Sequence, residues 1–286
     1  MSSKVHVSIV GLPSSGKTTM LAALWHMVRE PGSSTALSFD GLSNGNYEHL
    51  NQLAKLWRFG KIQKRTLVTA TRSVAMRLKN AAGRQVEVSF PDLPGEEFAH
   101  MWERRELDKG TAGTLAAPAI VLLVNGDTIR MPAWVVERMT LAKQIGMVQP
   151  VVEPVEWSAD LAPTQARVVD LLQMLMSGDL HVGDRRLALL ISAWDRVEGE
   201  QLTPVELLAS KLPLLDQYLR SRRDPWTWRV WGLSAQGGVY EDPEKDESFA
   251  ETDRLRELER PSDRIKIVDG NAVSTDITIP LQWLID

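Results

Sequence analysis

VSIVGLPSSGKTTML, residues 7–21, is apolar at one end, rich in glycine and serine in the middle, and helical in pattern at the other. Val5 to Val10 alternates with β-branched residues and reads as a buried first strand. A helix is expected from Thr18 to about Arg29, with Pro31-Gly32 as its stop. Between the two, Gly11-Leu-Pro-Ser-Ser-Gly16-Lys17-Thr18 matches G-x-x-x-x-G-K-[ST] at every fixed position. The glycines let the backbone wrap an anion, so that consecutive N–H groups from Ser14 and Ser15 through Gly16 to Thr18 and Thr19, with the positive end of the helix, face a phosphate. Lys17 reaches the terminal phosphates, and the Thr18 hydroxyl is placed to ligate Mg²⁺. A glycine-rich turn that holds nothing is the plain alternative. The strand before and the helix after are the context the motif requires, and they favour phosphate. What the phosphate serves is a separate question: ATP turnover, phosphoryl transfer or a GTP timer.

Composition narrows the classes. A chain of 286 residues, 43% apolar and 24% charged, has the balance of a soluble globular protein. Its 33 basic and 37 acidic residues give a net charge of −4, which argues against a nucleic-acid partner. Cysteine is absent, so disulfides and thiolate metal sites are excluded and a cytoplasmic setting is favoured. MSSKVHVSIVGLP runs straight into the first strand and leaves no room for a signal peptide. The apolar run at Ala116 to Val124 is far shorter than the roughly 20 residues of a membrane helix, so no membrane insertion is expected. The ten tryptophans are scattered and read as core and interface anchors. The five histidines, His6, His26, His49, His100 and His181, show no metal-ligand spacing.

The rest of the chain alternates strand and helix. Residues 33–70 are mixed, with loop signals in GLSNGN and a helix over Glu48 to Phe59. Ser73 to Lys79 and Gln85 to Phe90, joined at Asn80-Ala-Ala-Gly83, form a hairpin. A helix follows over Glu96 to Asp108, and Ala119 to Val124 and Leu187 to Ser192 are central strands. A helix near Gln165 to Met176 interrupts the stretch between them. Pro204 to Arg220 reads as one helix, Trp228 to Leu233 as a strand, and Glu241 to Pro261 as a charged, mobile excursion. Thr278 is placed to cap a last helix over Leu281 to Ile285. The expectation is a three-layer α/β domain with a mostly parallel sheet and one antiparallel hairpin strand. It occupies residues 1–286 as a single unit, with an extended region at about 31–70, an insertion at about 126–185 and the excursion at about 239–264.

Three further segments sit at strand ends. Asp92, in Ser89-Phe-Pro-Asp-Leu-Pro-Gly-Glu-Glu97, follows the returning hairpin strand, where a carboxylate holds Mg²⁺ through water. Gly95, three residues on, offers its N–H to a γ-phosphate; a plain Pro-Gly turn is the alternative. Asp195, in Ile191-Ser-Ala-Trp-Asp195, is placed to accept from guanine N1–H and its exocyclic amine. Adenine lacks those donors, and leaving such a carboxylate unpaired discriminates by roughly 10⁴–10⁵. Ser192 and Trp194 are expected to support the base, Trp194 by covering its face. A strand-end Asp that caps the next turn is the alternative there.

Together with Ser234-Ala235 in Gly232-Leu-Ser-Ala-Gln236, these elements resemble the GTPases of the translation-factor-related (TRAFAC) class of P-loop proteins. D-x-x-G resembles their second switch, SAWD their [N/T]-K-x-D, and Ser234-Ala235 the loop whose backbone N–H meets the guanine carbonyl. SAWD and the ending DIT-x-PL-x-WL (Asp276 to Leu284) further resemble the bacterial double-GTPase families. The resemblance implies a P-loop GTPase fold, GTP or GDP with Mg²⁺, and hydrolysis that acts as a molecular switch. It implies protein partners, among them a second GTPase encoded nearby in a multi-gene conflict or signalling system, and a nucleotide-dependent dimer. It also implies a first-switch threonine on the metal: Thr66, with Thr69 the reserve and Thr71 read as the first strand residue.

Glu96 stands where many GTPases keep the glutamine that orients water, and Ala193 where they keep the lysine that packs on the base. A carboxylate there opposes the γ-phosphate charge, so intrinsic hydrolysis is expected to be slow. Arg65 in cis, or an arginine from a partner, would supply the missing charge, an effect of about 10³–10⁵ in rate. Two other readings stay open: a scaffold that holds GTP without turnover, and an ATPase or kinase using the same loop.

Overall fold

Five strands run parallel, in the spatial order β4 (Gln85–Phe90), β1 (Val5–Gly11), β5 (Ala119–Asn125), β6 (Arg185–Ser192) and β7 (Trp226–Ser234). The structure is a computed structural model that describes residues 4–62, 73–91, 101–132, 144, 156, 158, 161–242, 244–245 and 249–286. β2 (Ser38–Asn44) and β3 (Val74–Lys79) extend the β4 edge, and β8 (Lys266–Asp269) and β9 (Ala272–Ser274) extend the β7 edge, all by antiparallel pairing. The sheet is therefore mostly parallel, as the alternation of strands and helices implied.

Parallel strands are covered on both faces, so they read as continuous apolar runs. AIVLLVN of β5 is buried at every position but the last. Its side chains alternate between two cores: Val121 and Leu123 enter one, Ile120 and Leu122 the other. The first core is closed by α1 (Lys17–Met27), α2 (Tyr47–Arg58), α8 (Ala250–Arg256) and α9 (Ile279–Ile285). The second is closed by α3 (Lys109–Leu115), α4 (Thr164–Leu175), α6 (Pro204–Lys211) and α7 (Pro213–Ser221). A single helical turn, α5 (Trp194–Val197), follows β6. Among the described residues, no helix is long and apolar enough to cross a membrane.

Several local expectations need correction. GLSNGN is not simply a loop, because Gly41 to Asn44 belong to β2. The strand pairs with β3 through two register shifts, which accommodate a polar sequence that carries no period-2 signal. The helix expected to end at Asp108 gives way at Arg105, which has φ 58. Asp108 instead begins α3, its carboxylate accepting from the N–H groups of Gly110 and Thr111 at 2.9 and 3.1 Å. Pro204 to Arg220 is two helices, because Pro213 has no N–H to continue the ladder and Leu212 leaves helical geometry.

The charged excursion contains α8, which Arg256 ties back through an ion pair to Glu241. The two short strands β8 and β9, of four and three residues, follow it and are too short to be legible in the sequence. Thr278 occupies the N-cap position of α9 but makes no capping bond. Its hydroxyl donates to Asp276 at 2.6 Å and accepts the Leu37 N–H at 3.1 Å, so it joins the chain entering β2 to that leading into α9.

Candidate functional site

The phosphate loop leaves β1 at Gly11 and enters α1 at Lys17. Gly11 is required by contact: a Cβ there would lie 2.5 Å from Ser15 Oγ and 2.6 Å from the Leu123 carbonyl. Ser14 (φ 62) and Gly16 (φ 87) are left-handed, the second as the residue that opens α1. Left-handed residues set among right-handed ones turn successive N–H groups toward one point, the geometry of an anion nest.

Three side chains hold the loop from outside. Ser192, at the end of β6, donates to the Ser15 carbonyl at 2.8 Å. Asn125, at the end of β5, donates to the Ser14 carbonyl at 3.1 Å. Lys17 Nζ lies across the loop on the carbonyls of Gly11 and Leu12, at 2.7 and 3.1 Å. The carbonyls of Gly11, Leu12, Ser14 and Ser15 are thus engaged by side chains, and the Ser15 N–H closes the turn on the Leu12 carbonyl at 3.2 Å. Ser15 Oγ is buried without a hydrogen-bond partner among the described residues, an orphan that a phosphate oxygen would satisfy. Thr18 is exposed in the first turn of α1, and Thr19 is half-buried behind it. The residues present therefore fit a nucleotide phosphate chain.

Ser192 holds the loop backbone at the Ser15 carbonyl. Its side chain is buried, and the role expected of it at the base is corrected to one of holding the loop. Ser192→Ala would leave the Ser15 carbonyl unpaired, at a cost of about 1–3 kcal/mol. Affinity for GDP and for pyrophosphate should fall together, by about tenfold, in a calorimetric titration.

The other end of the site is built where β6 and β7 finish. Ala193 adopts φ 53 and ψ 40, a left-handed turn that drives Trp194 inward and lets Asp195 emerge half-buried. Trp194 is 2% exposed and its ring lies over Gly232, so it does not cover a base; that expectation is corrected. Its bulk seats the turn that carries Asp195. Asp195 Oδ1 accepts from the Ser234 hydroxyl at 2.6 Å, and Ser234 Oγ accepts the Gly237 N–H at 3.1 Å. Ala235 is buried and its carbonyl accepts the Trp57 indole N–H at 2.7 Å. Burial pushes the nearby Tyr240 hydroxyl up to about 12, so it stays neutral.

Arg65, Thr66, Asp92, Gly95 and Glu96 lie outside the described residues. Among the described residues, no cluster of three or more His, Asp or Glu side chains could hold a metal. Thr18 is thus the one expected Mg²⁺ ligand that is placed here. Sequence reasoning missed Asn125, legible only as the polar residue closing an apolar strand, and Trp57, which gave no signal at all. It also missed Arg130 and Arg167. Together with Leu12, Pro13 and Ser15 they line a cavity of about 250 Å³ on the flank of the phosphate loop. Beside it Arg130 and Thr164 exchange bonds at 2.9 and 3.0 Å.

A family model described as Double-GTPase 1 matches residues 8–284. The chain is similar in structure to the signal recognition particle receptor SRβ-GTP/SRX complex from Chaetomium thermophilum, at 13% identity, 85% of this chain, 94% of that chain and a TM-score of 0.38. It is similar to the G domain of the T. maritima FeoB iron transporter, at 14% identity, 83% and 92% coverage and a TM-score of 0.35. It is also similar to the S. cerevisiae Ski7 GTPase-like domain bound to GDP and inorganic phosphate, at 11% identity, 88% and 48% coverage and a TM-score of 0.42. No curated protein matches the sequence significantly.

Proposed function

This chain belongs to the Double-GTPase 1 family, and we propose that it is a GTP-hydrolysing molecular switch. The observation that carries the reading is the Ser234–Asp195 pair at the ends of β7 and β6, on the same edge of the sheet as the phosphate loop. A carboxylate held there accepts from guanine N1–H and the exocyclic amine, and the Ala235 N–H meets the 6-oxygen. Lys17 neutralises the β- and γ-phosphates, and the Thr18 hydroxyl ligates Mg²⁺. Thr66 and Asp92 would hold the metal with Thr18, and Gly95 would sense the γ-phosphate. Mg²⁺ supplies charge stabilisation to the departing phosphate when bound.

Glu96 orients the attacking water, and Arg65 supplies the compensating positive charge. Arg130 and Arg167 are further candidates for that charge, favoured by their place on the cavity beside Pro13. Glu96→Ala is expected to lower the single-turnover rate of GTP hydrolysis by about 10-fold or more. A variant as fast as wild type removes Glu96 from the mechanism. The partner that completes the switch is a second GTPase encoded nearby, in a bacterial conflict or signalling system.

Titration with labelled GDP and ADP tests the base. Equal affinity returns the protein to the ATPase or kinase class. Single-turnover hydrolysis with and without the neighbouring gene's product tests the switch. No turnover in either condition leaves the GTP-holding scaffold, a reading that Ala193 and Glu96 keep alive.

A further inference from the structure

Trp57 lies on α2, outside every motif of the nucleotide site, yet it touches the loop that the guanine reading assigns to the base. Its indole N–H donates to the Ala235 carbonyl at 2.7 Å, and its side chain is 2% exposed. Among the described hydrogen bonds, the Gly237 N–H goes to Ser234 Oγ, while neither the Ala235 nor the Gln236 N–H donates. With its carbonyl held inward by Trp57, the turn keeps those two donors for something outside the protein.

Trp57 is itself braced. Arg264, 4% exposed, donates to the Trp57 carbonyl at 2.9 Å, the Arg58 carbonyl at 3.2 Å and the Leu255 carbonyl at 2.7 Å. Its guanidinium carbon stands 4.7 Å from the Trp57 ring centre, a buried cation–π contact. The same arginine backs the guanine loop, since a Cβ on Gly237 would lie 2.7 Å from Arg264 Cβ. The Trp57 ring also meets His26 of α1, the helix that leaves the phosphate loop, with centroids 5.1 Å apart. Just beyond α2, the Ile62 N–H donates to the Glu241 carbonyl and the Glu241 N–H to the Gly60 carbonyl, both at 2.8 Å. The end of α2 is thereby clipped to the segment that follows the loop.

We infer that Trp57 is a positioning residue for base specificity: its N–H fixes the Ala235 peptide so that the loop's amides meet the 6-oxygen of guanine. An unpaired carbonyl in a buried turn rotates or draws in water, and the amides on either side rotate with it. The inference rests on the guanine reading of Asp195 and Ala235, and the test separates the two.

Trp57→Phe keeps the ring and removes the donor; Trp57→Leu serves as the second variant if the phenyl ring does not pack. GDP is compared with 2-aminopurine ribonucleoside diphosphate, which keeps the exocyclic amine but lacks the 6-oxygen and, with N1 unprotonated, the N1–H as well. GDP affinity is expected to fall about tenfold, and affinity for the 2-aminopurine analogue by less than about twofold. Trp25→Phe is the control: it removes another buried indole bond, to Asn51 at 3.0 Å, away from the loop, and should leave GDP affinity unchanged. If the variant loses both ligands equally, or neither, or if Trp25→Phe loses GDP as strongly, Trp57 is a packing residue and the inference is overturned. If the wild-type protein binds ADP as tightly as GDP, the guanine reading itself falls.

Discussion

Asp195→Asn is expected to turn the protein from a guanine to a xanthine binder. In the wild type Ser234 holds the carboxylate through Oδ1 at 2.6 Å, and in the proposed site that carboxylate would face two guanine donors. An asparagine presents one acceptor and one NH₂ donor in the same space. The NH₂ then opposes guanine's exocyclic amine, donor against donor. Xanthine carries a carbonyl in place of that amine, so the amide donates to it while still accepting from N1–H. Ser234 supports either group, because a hydroxyl both donates and accepts. A hydrogen bond to a charged group is worth about 1.5–3 kcal/mol, so losing the one to the exocyclic amine lowers GDP affinity by about 10–100-fold. Calorimetric titration with GDP, XDP and ADP is the check. An Asp195→Asn protein that still prefers GDP to XDP shows that Asp195 does not face the base.

Gly232→Ala is expected to be the most destabilising single methyl addition near the base end. A Cβ at Gly232 would lie 2.5 Å from Trp194 Cε3 and 2.8 Å from Cε2, with backbone on one side and a buried ring on the other. Trp194 is 2% exposed, packed in the core that α6 and α7 close, and has no room to retreat. Overpacking of this kind costs about 3 kcal/mol. For a chain of this size the midpoint of thermal unfolding should fall by about 5–10 °C. The turn that follows carries Asp195, so GDP affinity should fall further than pyrophosphate affinity in the same protein. A Gly232→Ala variant with unchanged melting and GDP binding would mean that the Trp194 ring does not occupy this position.

The two substitutions mark the border between what was legible and what was not. Asp195 is legible as a carboxylate closing an apolar strand, and Ser234 through the resemblance of Ser234-Ala235 to the base loop of GTPases. Gly232 gave no such signal. Its need for a missing side chain comes from Trp194, an earlier residue that the fold packs against it, and Trp194 reads as a base cover in the sequence although it is core. An aromatic beside a binding residue reads equally as a lid or as a core anchor. The left-handed backbone at Ala193 decides between them, and alanine gives no hint that it will adopt it. Ser192 was misread for a similar reason: a strand-end serine points to whichever neighbour the sheet order supplies, here the phosphate loop.

The edges of the sheet repeat the lesson. SFDGLSN is too polar to announce a strand, and β2 forms because β3 offers a ladder and two register shifts absorb the misfit. Pairing energy from a neighbour overrides a weak local preference.

By itself, the sequence determined the alternation of strand and helix, the phosphate loop and the strand-end carboxylate. Each of these depends on residues close in the chain: a period of two, a period of 3.6, or glycines at fixed offsets. Only the tertiary structure decided that Ser192 and Asn125 brace the loop, that Trp194 is core, and that Trp57 reaches the Ala235 turn 178 residues away. Those contacts join segments with no sequence relation, and they exist because burial of two shared cores brings strand ends and helix α2 together.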